Sequence, residues 1–272
     1  MEDTKCPVDD CHLTVDLILK SSDGVLIGAH KANLENYSDG FPPADTTSDL
    51  TEPVDLPEDS ITLDILMQFT HKHAYPDIYP LRALELFSVA DAAEKYMVHS
   101  AMAVANVCVR SKIADFPSRA LAYATKYNYT TIVDLAAPLT IAFELEPMRA
   151  TLSDPRALSA WVQYKMTYLE RLTNILNRAP PTASMDPPGW ARAPNECQNW
   201  AQYASQVQSL IPAPVLTFLS SNTGDSAEAL FRGHTLACMR PECNCHLRAN
   251  EWKGDIIGLL KHTPALSTFL GR

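Results

Sequence analysis

The sequence predicts an α+β fold in which a small N-terminal sheet is followed by helices to the end of the chain. Three observations lead there. Two short apolar, β-branched runs, "LTVDLILK" and "VLIGAH", flank an "SSDG" turn near the N-terminus. From about Ser60 onward apolar residues recur at helical spacing, and beyond about residue 113 no further strand signal occurs.

The elements follow in order. "LTVDLILK", Leu13 to Lys20, and "VLIGAH", Val25 to His30, make a hairpin about the turn at Ser21 to Gly24. "KANLENYS" from Lys31 reads as a short helix, and "FPPADTTSDLTEP", Phe41 to Pro53, as a loop from its Pro, Asp and Thr content. "PVDL" is long enough for one more strand. Asp59 or Ser60 caps a helix whose apolar face is expected at Ile61, Ile65, Leu66 and Phe69, and "YPDIYP" ends it. Leu84, Phe87, Ala90 and Ala93 mark a second helix and "SAMAVANVCVRSKI" a third. "PSRALAYATKYNYTTIVDLAAPLTIAF" reads as two helices joined near Asn128. "DPRALSAWVQYKMTYLERLTNILNR" is the longest helix, opening on Asp154 as cap and Pro155 in the first turn. The prolines of residues 179–194 make a loop, and the tail beyond it reads as irregular and mostly helical. Two regions result: 13–113, mixed sheet and helix, and 114–272, helical.

Composition narrows the function classes. A chain of 272 residues with 46% apolar and 20% charged residues is ordinary for a globular protein and has no apolar run of membrane-spanning length. A net charge of −10 with no basic patch argues against direct nucleic-acid binding. The acidic start "MEDTKCPVDDCH" has neither the order of a secretory signal nor the arginines of a transit peptide, so a cytoplasmic or nuclear address is expected. Seven cysteines, an odd number, then read as reduced thiols.

The stretch "VDLILKSSDGVLIGAHKANLENYSDGF" resembles the opening of a BTB/POZ domain, in particular the version common in mushroom-forming fungi. The features are Asp16, the "SDG" turn, His30 followed by Lys31, Leu34, and "S-x-G-F" from Ser38 to Phe41. "VDLPEDSITLDILMQF" and "DAAEKYMVHSAM" extend the likeness over roughly the first 110 residues. The resemblance implies a three-stranded sheet capped by helical hairpins and, after it, a helical extension. It implies a protein-protein interaction scaffold or adaptor whose partners are other proteins, including a second copy of itself. Kelch repeats, a MATH domain and C2H2 fingers are absent from the sequence. A cullin-type ubiquitin-ligase adaptor and a transcriptional regulator recruited through the BTB surface remain alternatives. For the first, Ala83-Leu84-Glu85 is a loose match to the apolar-x-acid motif of cullin-binding relatives.

Candidate residues follow from this reading. Asp16, His30, Lys31, Leu34 and Tyr37 are the candidate protein-binding set: Asp16 and Lys31 match the positions lining a charged pocket in relatives, and Leu34 and Tyr37 a dimer face. A general-base role for His30 would require a nucleophile or an orienting carboxylate in reach, and the resemblance instead packs it at the strand-to-helix junction. Tyr96 reads as core with its hydroxyl bonded.

Metal chemistry is arguable in the tail "GHTLACMRPECNCHLRANEW", where His234, Cys238, Cys243, Cys245 and His246 offer five N/S donors. Their spacing departs from the two separated pairs that zinc sites use, so no cofactor is expected and zinc is the one alternative, with a zinc-dependent enzyme as the corresponding rival function. Cys6, Cys11 and His12 are similar but sit in a segment expected to fray. The sequence holds no phosphate-binding Gly-rich loop, G-x-S-x-G elbow or H-E-x-x-H helix, and the protein is expected not to be an enzyme.

Overall fold

The computed structural model describes residues 4–45, 52–177, 198–209 and 245–271. It is a mixed α/β structure that divides into two compact units, Met1–Tyr123 and Ala124–Arg272. The division falls inside the helix Pro117–Lys126, later than the boundary of 113 expected from the loss of strand signal.

In the first unit, β1 (Leu17–Lys20) and β2 (Leu26–Ala29) pair antiparallel, with Leu17 opposite Ala29 and Lys20 opposite Leu26. Gly24 takes a φ of +84°, which suits glycine, and the Ser21 hydroxyl both donates to Val25 O and accepts from Val25 N to close the turn. β3 (Val54–Asp55) lies parallel on the other side of β1, giving the order β2-β1-β3. Leu19, Ile27 and Ala29 are buried, and α2 (Ser60–Gln68) packs on β2.

Two aspartates fix the start of α2. Asp59 Oδ1 accepts from Thr62 N at 2.8 Å, and Asp23, from the hairpin turn, accepts from Ser60 N at 3.0 Å and from the Ser60 hydroxyl at 2.7 Å. The "SDG" turn thus ties the hairpin to the helix. The buried residues of α2 are Thr62, Leu63, Leu66 and Met67, followed by Phe69, whereas Ile61 is 51% exposed. The expected face therefore turns: Leu66 and Phe69 are buried, Ile65 is intermediate and Ile61 is outside. Between α1 (Lys31–Tyr37) and the rest of the unit, Leu34 is the buried anchor.

α3 (Ala83–Lys95) and α4 (His99–Ser111) form an antiparallel hairpin. Ala90, Ala92, Ala93, Ala101 and Ala105 are buried, and such small side chains let helix axes approach. Phe87, Ala90 and Ala93 lie inside as expected, but Leu84 is 67% exposed because Leu86 and Val89 fill the inner face instead. The tight junction after α3 receives the "S-x-G-F" segment. Ser38 Oγ donates to Tyr96 O at 2.5 Å, Gly40 N to the same carbonyl at 3.0 Å, and Phe41 stacks on Tyr96 with centroids 4.5 Å apart. The Tyr96 hydroxyl donates to Glu58 Oε2 at 2.6 Å and receives Lys95 Nζ at 2.8 Å.

The second unit is helical over its described residues. It comprises the C-terminal end of α5 (Pro117–Lys126), α6 (Thr130–Ala136), a 3-10 turn at Ala137–Thr140, α7 (Leu145–Thr151), α8 (Pro155–Asn177), α9 (Gln198–Ser209), α10 (Cys245–His262) and α11 (Ser267–Leu270). Asn128, with φ +62°, turns the chain between α5 and α6. α8 starts as the sequence predicts, with Asp154 Oδ1 accepting from Arg156 N at 2.9 Å. α9, α10 and α11 all pack on α8. Its partners are fixed by polar contacts: Trp161 Nε1 donates to the Thr140 hydroxyl at 2.9 Å, and Trp252 Nε1 to Ile175 O at 2.9 Å. Asp134 caps α11 through Ser267 N and Oγ at 2.9 and 2.8 Å. Among the described residues no helix is long and apolar enough to cross a membrane. The proline-rich loop of 179–194 lies outside the described residues.

Candidate functional site

Within the first unit the chain brings four sulfur and nitrogen donors to one point. Cys6 and Cys11 come from the N-terminal segment, His30 from the junction of β2 with α1, and His71 from just beyond the end of α2. Their ligand atoms all lie within 4.8 Å of one another. Cys11 Sγ is 3.2 Å from His30 Nε2 and 3.6 Å from His71 Nε2, and Cys6 Sγ is 3.4 Å from His71 Nε2. The two imidazoles meet edge to face, with centroids 5.3 Å apart. Both histidines are buried and both cysteines partly so.

The backbone delivers these groups for local reasons. The segment before β1 has no strand of its own, yet Lys5 O accepts from Gly28 N at 3.0 Å, so it runs against the outer edge of β2. A side chain at Gly28 is excluded, since a Cβ there would sit 2.8 Å from Val15 Cγ2 and 2.9 Å from the Lys5 carbonyl. A turn closed by Cys11 N to Val8 O at 3.2 Å, with Asp10 at φ +57°, brings the second thiol back beside the first.

Each histidine is oriented by a carbonyl behind it. His30 Nδ1 lies 2.9 Å from Thr14 O, and His71 Nδ1 lies 2.9 Å from Met67 O. A carbonyl only accepts, so Nδ1 carries the proton in each ring and Nε2 turns its lone pair toward the thiols. Burial pushes the Cys6 thiol up to about 11, opposed by the Val8 backbone amide and reinforced by Cys11 and Asp64. Burial likewise holds His71 below the ordinary imidazole value, with the Met67 carbonyl opposing and His30 and His73 adding to the shift. Asp64, half-buried on α2, has its own carboxyl raised by burial. The cluster is therefore a partly buried set of thiol and imidazole donors with the Asp64 carboxyl near Cys6.

The candidate protein-binding residues separate by depth. His30 and Leu34 are buried, so neither lines an outer surface. Tyr37 is intermediate, Asp16 is exposed and Lys31 is half-buried. Asp16 Oδ1 accepts from Lys31 N at 2.8 Å, so from its place just before β1 it caps the first amide of α1. In the tail set, Cys245 is buried and His246 exposed on the first turn of α10, while His234, Cys238 and Cys243 lie outside the described residues.

Sequence reading noticed Cys6 and Cys11 but grouped them with His12, which is exposed and outside the cluster. His30 is buried, as its packed reading expects, and His71 is not among the residues the sequence singles out. The usable signal was the C-x4-C pair itself; its histidine partners, 19 and 60 residues beyond Cys11, are joined to it only by the fold.

No family model, no curated protein and no solved structure matches this chain.

Proposed function

We propose that this protein is a protein-protein interaction scaffold or adaptor acting through its first, BTB-like unit. The observation that supports this reading is a set of large apolar side chains turned outward at one end of the α3/α4 hairpin. Because the two helices run antiparallel, the start of α3 lies beside the end of α4, and Leu84 and Val107 are each 67% exposed there. Tyr79, 56% exposed, belongs to the same end: Lys112, just past α4, donates to Tyr79 O and to Leu81 O at 3.2 Å and holds its ammonium 4.9 Å from the Tyr79 ring centroid. Exposed aromatic and aliphatic residues held on a rigid frame are the anchors that protein partners use. The residues ascribed to a dimer face do not supply such a surface equally, because Leu34 belongs to the core.

The motif-like Ala83-Leu84-Glu85 falls at this same end, with Leu84 outward and Glu85 paired to Arg82. This exposed leucine keeps the cullin-adaptor form of the reading alive. The test is affinity capture with the full chain against Leu84→Asp and Val107→Asp variants, read by mass spectrometry, together with sedimentation across a concentration series. Partners, or self-association, that disappear with either substitution support the proposal, and recovery of cullin specifies the adaptor form. Identical recoveries from the parent chain and both variants, with a monomer at every concentration, overturn it.

A further inference from the structure

We propose that Cys6, Cys11, His30 and His71 form a structural zinc site that fastens the N-terminal segment to the sheet and to α2. The donor set fits the ion. Tetrahedral zinc with Zn–S of about 2.3 Å and Zn–N of about 2.0–2.1 Å requires S···N separations of about 3.6 Å, S···S of about 3.8 Å and N···N of about 3.3 Å. The structure holds three S···N separations at 3.2, 3.4 and 3.6 Å, and every pair of ligand atoms within 4.8 Å. The widest pair has to close by at most about 1.5 Å to complete the tetrahedron.

The chemistry selects zinc over other common cations. Thiolate and imidazole are poor ligands for calcium and magnesium, which take oxygen donors. Two thiolates and two neutral imidazoles around a divalent ion give a site of zero net charge, which suits a pocket with both histidines buried. Binding is a balanced exchange: the ion enters, Cys6 and Cys11 form two Zn–S bonds, and two protons leave to solvent. The carbonyls of Thr14 and Met67 are the outer partners that metal-bound histidines ordinarily have, already at 2.9 Å. All four positions are protein donors, so the site is closed and its role is structural, not catalytic.

The site uses none of the tail residues His234, Cys238, Cys243, Cys245 and His246, and the test keeps the two sets apart. Zinc is measured per chain in the reduced full-length protein, in a Cys6→Ala/Cys11→Ala variant and in a Cys238→Ala/Cys243→Ala variant. The first variant is expected to lose one equivalent and to bind zinc more than about 100-fold more weakly at that site, since even outer-partner losses reach that scale. The tail variant is expected to keep that equivalent. X-ray absorption on the tail variant, whose N-terminal site is unaltered, is expected to show two sulfurs at about 2.3 Å and two nitrogens at about 2.0–2.1 Å. That reading does not depend on the Cys6→Ala/Cys11→Ala variant folding, and His71→Cys, which preserves four donors, is expected to retain the ion with a third sulfur. The proposal is overturned if the Cys6→Ala/Cys11→Ala variant keeps all its zinc, if the tail variant carries none, or if thiol-blocked protein contains a Cys6–Cys11 disulfide and no metal.

Discussion

At Gly40 a single added carbon would lie 2.5 Å from the carbonyl carbon and oxygen of Tyr96, so "S-x-G-F" needs its glycine for close approach. Gly40→Ala is expected to cost about 1–3 kcal/mol, read as a lowered urea midpoint, because backbone must move on both sides. Gly254, exposed inside α10 with nothing within 4 Å of a Cβ, has the opposite sign: Gly254→Ala is expected to gain about 0.5–1 kcal/mol. The aspartate of the "SDG" turn makes a pH prediction. Hydrogen bonds from Ser21 and Ser60 hold the Asp23 carboxyl below its ordinary value. A depressed carboxyl stabilises the fold fully above its unfolded pKa of about 4 and ceases to do so as pH falls through its native value. Comparing thermal midpoints of the parent chain and Asp23→Asn between about pH 6 and pH 3 should show the gap between them narrowing toward acid; a constant gap would contradict the assignment.

For the elements, α2 shows what spacing alone decides and what it leaves undecided. The row Ile61, Ile65, Phe69 and the row Leu63, Met67 with Leu66 beside it are both apolar at helical period, so the pattern establishes a helix without choosing its inner face. Docking on β2 chooses it, leaving Ile61 outside and Leu63 fully buried. Ile61→Ser is therefore expected to change stability by no more than about 0.5 kcal/mol, whereas Leu63→Ala should cost about 2–5 kcal/mol in the same denaturation series. The hairpin, its turn, a third strand at "PVDL" and the Asp154 start of α8 are legible because each depends on local chemistry, whereas the parallel pairing of β3 with β1 and the short helix α7 are not. The Cys/His cluster is not legible either. Cys6 and Cys11 lack regular structure, His30 lies at a strand end and His71 just past a helix end, and the packing of α2 against β2 brings the last two together. The domain boundary shifted for a similar reason: Tyr123, beyond residue 113, donates to Glu94 at 2.8 Å and meets Phe87 edge to face, contacts that no loss of strand signal reveals.

On the scale of the whole molecule, the question is what keeps copies of the chain from associating through a sheet edge. A net charge of −10 supplies general repulsion between copies, but it does not protect a specific sheet edge. β2 is the edge strand of the β2-β1-β3 sheet, and its Gly28 amide, directed away from β1, is satisfied by Lys5 O from the same chain. The N-terminal segment thus covers an edge that would otherwise offer unpaired backbone groups beside the apolar run Leu26–Ala29. Leu26 is already exposed, so the segment lies between this strand and any partner strand that would pair there. Removing residues 1–10 takes away Lys5 and Cys6 together, and with them both the hydrogen bond and one of the tethering donors. The shortened chain is expected to self-associate in a concentration-dependent way, read by sedimentation velocity, and Leu26→Lys placed in it should reverse the association because a charged edge resists strand pairing. A shortened chain that sediments as the parent does at every concentration would show that the segment does not guard this edge.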